Sequence, residues 1–371
     1  KNNIGVEHTS GLDSNTILSI LLSTKNIGKD KIHTFSLDNS EGESIERCRD
    51  HFALSKSNVH VGNENYNNDN NFIDIIHILG APSFNKRCLE RLRILQANNC
   101  DIMFSGFGGD QALSHLGLNT LTDLVLKNDF KNIIQWTGNF NQSFKTYLGR
   151  HLLRMLPKLK EIKINSFLPK SIFHNLLIDC LSNFGRELIY PRLKNNYHSE
   201  YDVYIKMSES IKSRICADHL SIRIEEEKRL ANFYGIKKIF FLLNKKIIEL
   251  IINQDPLYFS NKQGNGRLLL RESFKNDLPE FFQSSPVKYR KIDENILNKN
   301  IDLLRKDLQF RISAIDGFNE HLVKLWDLKK LNQIYVDYLS KESYLNRDII
   351  KLDLALYTLE SINYWFNLID N

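Results

Sequence analysis

The stretch Ile4-Gly5-Val6-Glu7-His8-Thr9-Ser10-Gly11-Leu12-Asp13-Ser14-Asn15, near the start of the chain, predicts how the protein folds. Its first apolar residues are typical of a β-strand, and the residues after it, Thr16-Ile17-Leu18-Ser19-Ile20-Leu21-Leu22, follow a helical pattern. The small-residue turn between them joins a strand to the N-terminus of a helix. Backbone amides in a first helical turn lack partners within the helix and carry partial positive charge, so this junction is predicted to bind an anion such as phosphate.

The residues of this turn suit such a ligand. Gly11 allows the backbone to approach a phosphate closely, and Thr9, Ser10 and Ser14 offer hydroxyl donors. Asp13 is different, because a carboxylate repels a phosphate unless a cation lies between them. The turn therefore predicts a phosphate that carries magnesium, although a lone match of this length is also typical of an ordinary capped turn.

A second stretch, Asp101-Ile102-Met103-Phe104-Ser105-Gly106-Phe107-Gly108-Gly109-Asp110, repeats this arrangement. A short apolar strand leads into a turn with three glycines, and an aspartate follows the last of them. Ligands of a parallel sheet bind at the carboxyl ends of its strands, so both turns are expected at one edge of the sheet. Asp13 and Asp110 are predicted to share a magnesium ion there.

Strands and helices alternate through the first hundred residues, with strands predicted near residues 4–6, 31–37, 58–61 and from 101 onward. This alternation predicts an α/β fold with a parallel sheet flanked by helices. After residue 118 the patterns are long and helical, so a mostly helical C-terminal part is expected. We therefore predict a phosphate-binding α/β core at 1–125 and a mainly helical part at 126–371 that completes its ligand pocket.

Composition limits the class of protein. Lys and Arg outnumber Asp and Glu by only 50 to 44, so no nucleic acid partner is predicted. No run of about eighteen consecutive apolar residues occurs, so no membrane span is predicted. The 5 cysteines include no CxxC pair and are expected to be reduced thiols in a cytoplasmic protein.

The two turns together resemble a known family. Residues 9–15, Thr-Ser-Gly-Leu-Asp-Ser-Asn, resemble the Ser-Gly-Gly-Leu-Asp-Ser-Ser pyrophosphate loop (PP-loop) of the asparagine-synthetase-like ATP pyrophosphatases. Residues 105–111, Ser-Gly-Phe-Gly-Gly-Asp-Gln, resemble that family's Ser-Gly-x-Gly-Gly-Asp-Glu, in the same order along the chain. A weaker similarity joins residues 267–273 and the following Leu278-Pro279-Glu280 to the family's C-terminal segment.

The resemblance implies roles for individual residues. For ATP and pyrophosphate binding it implies Thr9, Ser10, Gly11, Leu12, Asp13, Ser14, Asn15, Ser36, Leu37, Ser105 and Gly106. For the substrate pocket it implies Phe107, Gly108, Gly109 and Gln111. Asp13 and Asp110 would hold magnesium and act in catalysis together with Lys288, the lysine after the leucine-proline segment. Lys291 competes with Lys288 for this role, and Arg271 is a weaker candidate for the same cation.

The family chemistry forms amides from unactivated acids. An acid and an amine are both ionised near neutral pH, so the acid is first transferred to the α-phosphate of ATP, which releases pyrophosphate. An amine then displaces AMP. The resemblance therefore implies an ATP-dependent carbon–nitrogen ligase that uses ATP and Mg²⁺ and acts on an amino-acid or peptide carboxylate.

Departures from the family pattern bear on the substrate. Phe107 stands where asparagine synthetases carry a glutamate that handles the amino acid, and Gln111 replaces a second glutamate. An apolar ring supplies neither a base nor a carboxylate for an ammonium group. The chain is in this respect similar to lasso peptide cyclases, which join an Asp or Glu side chain of a peptide to its N-terminal amine. A leader-peptide-binding or protease partner protein would suit that role.

Two other functions stay open at this point. One is an asparagine synthetase that uses ammonia or glutamine, and whether a glutaminase-like domain precedes residue 1 is not decided by the sequence. The other is a catalytically degenerate protein that binds nucleotide or acts as a scaffold, since one glycine of the first turn is missing where Leu12 follows Gly11. Retention of both Asp13 and Asp110 argues against the degenerate form.

Overall fold

The computed structural model describes residues 3–36, 42–61, 71–83, 88–113, 120–137, 180–188, 206–259, 266–284, 294–339 and 346–370. The chain divides into two compact units, each built from separate segments. The first unit takes residues 1–62, 91–166 and 198–291, and the second takes residues 63–90, 167–197 and 292–371. The domain boundary that the sequence suggests, between residues 125 and 126, stays a prediction.

A parallel sheet of five strands forms the centre of the first unit. The strands are β1 (Asn3–Glu7), β2 (Ile32–Ser36), β3 (Val59–Val61), β4 (Cys100–Ser105) and β5 (Lys237–Phe240). They lie in the order β3-β2-β1-β4-β5, and every neighbouring pair is parallel. The predicted helix-flanked parallel sheet is confirmed. The strand order reverses between β1 and β4, and in such sheets ligands bind at the carboxyl ends of the strands on either side of this reversal.

Helices make up most of the remaining described chain. In chain order they are α1 (Leu12–Ser23), α2 (Gly42–Phe52), α3 (Asn71–Leu79), α4 (Cys88–Ala97), α5 (Thr120–Leu126), α6 (Phe130–Thr137), α7 (Met207–Ile215), α8 (Asp218–Phe233), α9 (Lys245–Ile252), α10 (Leu268–Ser273), α11 (Phe281–Ser284), α12 (Glu294–Ile312), α13 (Glu320–Leu325), α14 (Leu328–Leu339) and α15 (Asn346–Asp370). Gly80 and Gly235 follow α3 and α8 with positive φ angles of 73° and 71°, the left-handed conformation that commonly ends a helix. None of the described helices has the length and apolar character that crossing a membrane requires.

The core of the first unit packs α1 against the sheet. Ile17 and Leu18 of α1 are buried in one cluster with Val6 of β1 and Ile32 of β2. On β1, Gly5 lets helix α4 come close, since a Cβ at Gly5 would lie 2.6 Å from Cδ2 of Leu95. These contacts set the position of α1 and α4 beside the strand that leads into the first turn.

The second unit has its own apolar core. Leu304 and Leu308 of α12, Leu331 and Tyr335 of α14, and Leu356 of α15 are almost completely buried in one cluster. Beside this core, Arg311 forms ion pairs with three carboxylates. The guanidinium of Arg311 donates to the carboxylates of Asp307, Asp353 and Glu360, at 2.9, 2.8 and 2.5 Å. Apolar packing and this ion-pair group together join α12 to α15.

Strand β5 was not predicted from the sequence. Residues 237–240 read Lys-Lys-Ile-Phe, and two adjacent lysines are unusual in a strand. The strand nevertheless pairs with β4, so that Met103 lies beside Lys238 and Ser105 beside Phe240. Residues from the predicted helical part thus complete the sheet. Residues 144–156, one of the helical patterns predicted after residue 118, lie outside the described residues.

Candidate active site

The first loop, residues 8–11, connects β1 to α1. Gly11 is the N-cap of α1, with φ −84° and ψ 150°, and it has no side chain with which to bond the first amides of the helix. Those amides are the groups that bind a phosphate at a helix N-terminus. The strand, loop and helix predicted from the sequence are confirmed, and the local geometry suits an anion.

Buried side chains fix the shape of this loop from within. The Ser14 hydroxyl accepts a hydrogen bond from the Thr9 amide at 3.2 Å and donates to the Gly11 carbonyl at 3.1 Å. The Asn15 amide nitrogen donates to the carbonyls of Thr9 and Gly11, each at 2.8 Å. Ser14 and Asn15 therefore stabilise the loop conformation, and direct contact of either with a phosphate stays a prediction.

His8 anchors the same network and was not identified from the sequence. Its Nε2 lies 3.1 Å from the side-chain oxygen of Asn15, an acceptor, so Nε2 carries the proton. Complete burial lowers the pKa of His8 to about 4, although the bond to Asn15 opposes this. The imidazole is therefore neutral at pH 7 and acts as a structural donor beneath the loop.

The second loop, residues 106–111, touches the first directly. A Cβ at Gly106 would lie 2.8 Å from the amide nitrogen of Ser14, and a Cβ at Gly109 would lie 2.5 Å from Cγ of Asp13. Gly108 has a φ of 93°, which side chains other than glycine rarely adopt. Each glycine of the turn thus meets a separate steric requirement, and the two loops lie side by side, as predicted.

Asp110, at the end of the second loop, forms an ion pair with Arg267. The Nη2 of Arg267 donates to Oδ1 of Asp110. The Asp110 side chain is 47% exposed, whereas that of Arg267 is only 8% exposed. The buried guanidinium of Arg267 therefore orients a carboxylate that is itself partly exposed to solvent. Arg267 is the first residue of the family-like segment 267–273, but nothing in the sequence indicated this ion pair.

A buried ion-pair network lies behind the two loops and is centred on Glu7, the last residue of β1. Arg91 of α4 and the Ser105 hydroxyl both donate to the Glu7 carboxylate, and Lys238 of β5 lies 3.9 Å from it. The amide of Phe107 in turn donates to the Ser105 hydroxyl at 3.1 Å. Glu7 therefore couples the start of the first loop to the start of the second.

The network continues to Glu227 of α8, which lies 2.5 Å from Lys238. Burial by itself raises the pKa of Glu227, but the positive charges of Lys238, Arg91 and Arg223 outweigh it and hold the pKa well below its ordinary value. Glu227 is therefore ionised. A charged residue in an apolar strand, such as Glu7, was the available signal in the sequence, but its partners are distant along the chain.

Phe107 projects into a mixed aromatic and cationic environment. The guanidinium of Arg223 lies over its ring, 4.0 Å from the centroid, and the Phe240 ring meets it edge-on at 5.9 Å. Arg223 is half-exposed and is oriented by a 2.9 Å bond from its Nε to Glu227. A cation on an aromatic face is a favourable arrangement. The surface beside the second loop is accordingly apolar and positively charged.

The remaining predicted residues are placed as follows. Ser36 is buried at the end of β2, and Gln111 is partly buried in the second loop. Leu37, Lys288 and Lys291 lie outside the described residues. Arg271 is buried and donates to the carbonyls of Gly266 and Phe282, so it links the start of α10 to α11.

Two carboxylates of the site, Asp13 and Asp110, suit a hard cation. The Asp13 carboxylate lies against the backbone of Gly109, the residue before Asp110, so the two aspartates are close neighbours in the folded chain. Within the described part of the chain, no group of three or more His, Cys, Asp or Glu side chains is arranged to hold a metal by itself. Magnesium in nucleotide sites is held by one or two carboxylates together with substrate phosphates, so the two residues fit it.

Fold and site define a parallel α/β protein in which a strand–loop–helix turn that suits an anion and a glycine-aspartate loop lie at the reversal of the strand order. The chain belongs to the asparagine synthase family, whose model matches residues 2–366. A search of curated proteins finds no match. The family acts on carboxylates with ATP as a substrate, so the chain is an ATP-dependent, amide-forming enzyme of the ligase type.

Proposed function

We propose that this enzyme activates a peptide carboxylate as its acyl-adenylate and passes the acyl group to an amine of the same peptide, as a lasso-type macrolactam synthetase does. In the first step a carboxylate oxygen attacks the α-phosphorus of ATP and pyrophosphate leaves. In the second step the amine attacks the acyl carbon, AMP leaves, and the amine gives up a proton. The products are an amide, AMP and pyrophosphate.

The contact of Asp13 with Gly109 carries this proposal. It brings a helix N-terminus that suits phosphate and two carboxylates that suit a cation onto one surface. A degenerate protein that binds nucleotide without chemistry has no need of two carboxylates at a phosphate site. The single surface therefore favours a reacting triphosphate.

The residues of both loops take defined roles in the proposal. Backbone amides and hydroxyls of Thr9, Ser10, Gly11, Leu12 and Ser14 hold the pyrophosphate, with Ser105 and Gly106 beside it. Asn15 keeps the loop in shape. Asp13 and Asp110 would hold a magnesium ion, which would supply positive charge to the leaving pyrophosphate. Lys288 is proposed as the cation near the α-phosphorus, with Lys291 as its competitor.

The surroundings of Phe107 favour a peptide over a free amino acid. An apolar ring covered by the Arg223 guanidinium offers no carboxylate to a free α-ammonium group. Glu227, the carboxylate linked to this position through Arg223, is buried and already paired with Lys238. An Asp or Glu within a peptide has a neutral backbone amide in place of its own α-ammonium group, so it needs no carboxylate at Phe107, and Arg223 can donate to the carbonyl oxygens of the peptide.

Mass spectrometry of the purified protein with ATP, magnesium and peptides that carry Asp or Glu tests the proposal. AMP release together with a peptide lighter by one water supports cyclisation. Incorporation of ammonia into free aspartate would instead indicate asparagine synthesis, and nucleotide binding without any AMP release would indicate a degenerate protein. Asp13→Asn is expected to abolish the peptide-dependent release of AMP. Asp50→Asn, at an exposed position paired with Arg49, is the control.

A further inference from the structure

The ion pair between Arg267 and Asp110 joins a buried cation to a carboxylate of the proposed ATP site. Arg267 donates to Oδ1 of that carboxylate, and the Asp110 side chain is 47% exposed. A carboxylate can accept about four hydrogen bonds or metal contacts in all, so one bond to a guanidinium does not use up its capacity for a cation. The guanidinium therefore fixes the direction of the carboxylate without covering it.

The backbone and burial of Arg267 show that its position is imposed by the fold. Its φ of 64° lies in the left-handed region, which costs free energy for a residue with a side chain. The carbonyl of Arg267 accepts from the Arg271 amide at 3.1 Å, and the next amide, that of Leu268, donates to Phe259 at 3.1 Å. The guanidinium is buried, and within the described residues its Nη1 has no hydrogen-bond partner. Burial of an arginine in a strained turn is costly unless its charge is used.

We propose that Arg267 is a positioning residue for the metal site: it orients the Asp110 carboxylate to bind the divalent cation of the metal–ATP complex. The proposal rests on the proposed function in one respect, since it takes the cation to arrive with ATP. It adds a residue and a role to that site. Groups that orient a metal ligand in this way typically change metal affinity by about 10–100-fold when they are removed.

If the ion pair between Arg267 and Asp110 had a different role, removal of Arg267 would change metal or ATP affinity in a different way. If the guanidinium occupied the place of the metal, its removal would free Asp110 and strengthen metal binding. If it bound the triphosphate directly, its removal would weaken ATP binding in the absence of metal as well. The effect of one substitution on metal affinity and on metal-free ATP affinity therefore separates the three roles.

The experiment measures the Mn²⁺, a stand-in for Mg²⁺, that the protein retains in equilibrium dialysis, with ATP on both sides of the membrane and without any acyl substrate, so that Mn²⁺ bound by free ATP is subtracted. Arg267→Met is expected to weaken Mn²⁺ binding about 10–100-fold. Arg267→Lys, which keeps the charge but not the planar fork, is expected to recover part of this loss. ATP affinity in excess EDTA is expected to change less than twofold in both variants.

A double substitution tests whether Arg267 acts through Asp110. Asp110→Asn by itself is expected to weaken Mn²⁺ binding, and adding Arg267→Met to it is expected to cause no further loss, because the two act as a unit. Arg47→Met, which removes an exposed cation paired with Glu43, is the matched control and is expected to bind Mn²⁺ as the wild type does. Thermal unfolding followed by circular dichroism identifies any variant that fails to fold.

Any one of four results would overturn the proposal. They are unchanged or tighter Mn²⁺ binding by Arg267→Met, weaker binding of metal-free ATP by that variant, additive losses in the double variant, and a wild-type protein that binds no Mn²⁺ in the presence of ATP. Failure of the proposed function has a different signature. Wild-type protein would then bind Mn²⁺ and ATP but release no AMP with any acid, and the comparison of the Arg267 variants would still stand.

Discussion

The carboxylate of Asp13, in the first turn of α1, lies directly against the backbone of Gly109 in the second loop. A Cβ at residue 109 would be 2.5 Å from Cγ of Asp13 and 2.8 Å from each carboxylate oxygen. Gly109 and Asp13 belong to loops that follow neighbouring strands, β4 and β1. The chain therefore requires a glycine here in order to bring one aspartate next to the other.

Gly109→Ala is expected to impair metal-dependent ATP binding while leaving the fold nearly intact. The added methyl group meets the end of a side chain, which can rotate away at a cost of about 0.5–1.5 kcal/mol. Isothermal titration with Mg²⁺ and ATP measures the loss, expected to be at least about tenfold. Gly42→Ala is the control, because nothing lies within 4 Å of a Cβ at that position. Unchanged titration of Gly109→Ala would contradict the role of this contact.

Gly106→Ala is expected to behave differently from Gly109→Ala. Its methyl group would meet the backbone of Ser14, at 2.8 Å from the amide nitrogen, and backbone cannot rotate away. The expected cost is about 1–3 kcal/mol in the free energy of unfolding, typical of an overpacked site. Urea unfolding of both alanine variants beside the wild type measures the difference. Equal stability of the two variants would show that the loops separate more easily than their contacts indicate.

Glu7→Gln is expected to destabilise the protein strongly. Arg91 and Lys238, with side chains 5% and 3% exposed, would lose the negative charge that they share. Breaking a buried ion pair by removing one partner typically costs about 3–5 kcal/mol. Urea unfolding at pH 7 measures the change. Glu43→Gln, in the exposed pair with Arg47, is the control and is expected to cost less than about 1 kcal/mol.

The stability of the wild type is expected to fall in mild acid because of His8. Its pKa is lowered from 6.5 to about 4 in the folded protein, so the unfolded chain binds the extra proton first. The contribution of His8 is therefore fully present above about pH 6.5 and is lost as the pH falls towards 4, by about 3 kcal/mol in all. His8→Gln is expected to remove this part of the dependence. Urea unfolding at several pH values measures the free energy of unfolding of both proteins. If it depends on pH in the same way in wild type and variant, His8 makes no such contribution.

Arg311→Met is expected to destabilise the second unit. Asp307, Asp353 and Glu360 surround the guanidinium, and their charges raise the pKa of Arg311 further above its usual value despite its burial. Without the guanidinium, three carboxylates repel one another beside an apolar core, and the free energy of unfolding is expected to fall by about 3–5 kcal/mol. Hydrogen exchange of α12 and α15 amides measures the change, with Arg47→Met as the control for loss of an exposed arginine.

Much of the first unit could be predicted because its signals are local. Residues 4–22 show a strand, a turn and a helix within a short window, and the glycines of residues 106–109 mark the second turn. β5 could not be predicted in this way. Its lysines contradict strand propensity, and Lys238 is accommodated only because Glu227 and Glu7 neutralise it inside the folded protein.

Partners of the site residues were the least predictable part. Asp110 was identified from its motif, but its ion pair with Arg267 spans 157 positions of the chain. Arg91 reaches Glu7 because Gly5 allows α4 to pack closely on β1, a steric fact without a sequence signature of its own. Arg223 and Phe107 likewise meet only after α8 has packed beside β5.

The sequence by itself determined the type of fold, the two loops and the aspartates that they carry, because strand and helix periodicity and glycine turns depend on neighbouring residues. Only the tertiary structure decided what faces those aspartates. The Asp110–Arg267 pair, the Glu7 network and the cation above Phe107 join residues from distant segments. Their strength depends on burial and distance, and both quantities exist only once the chain has folded.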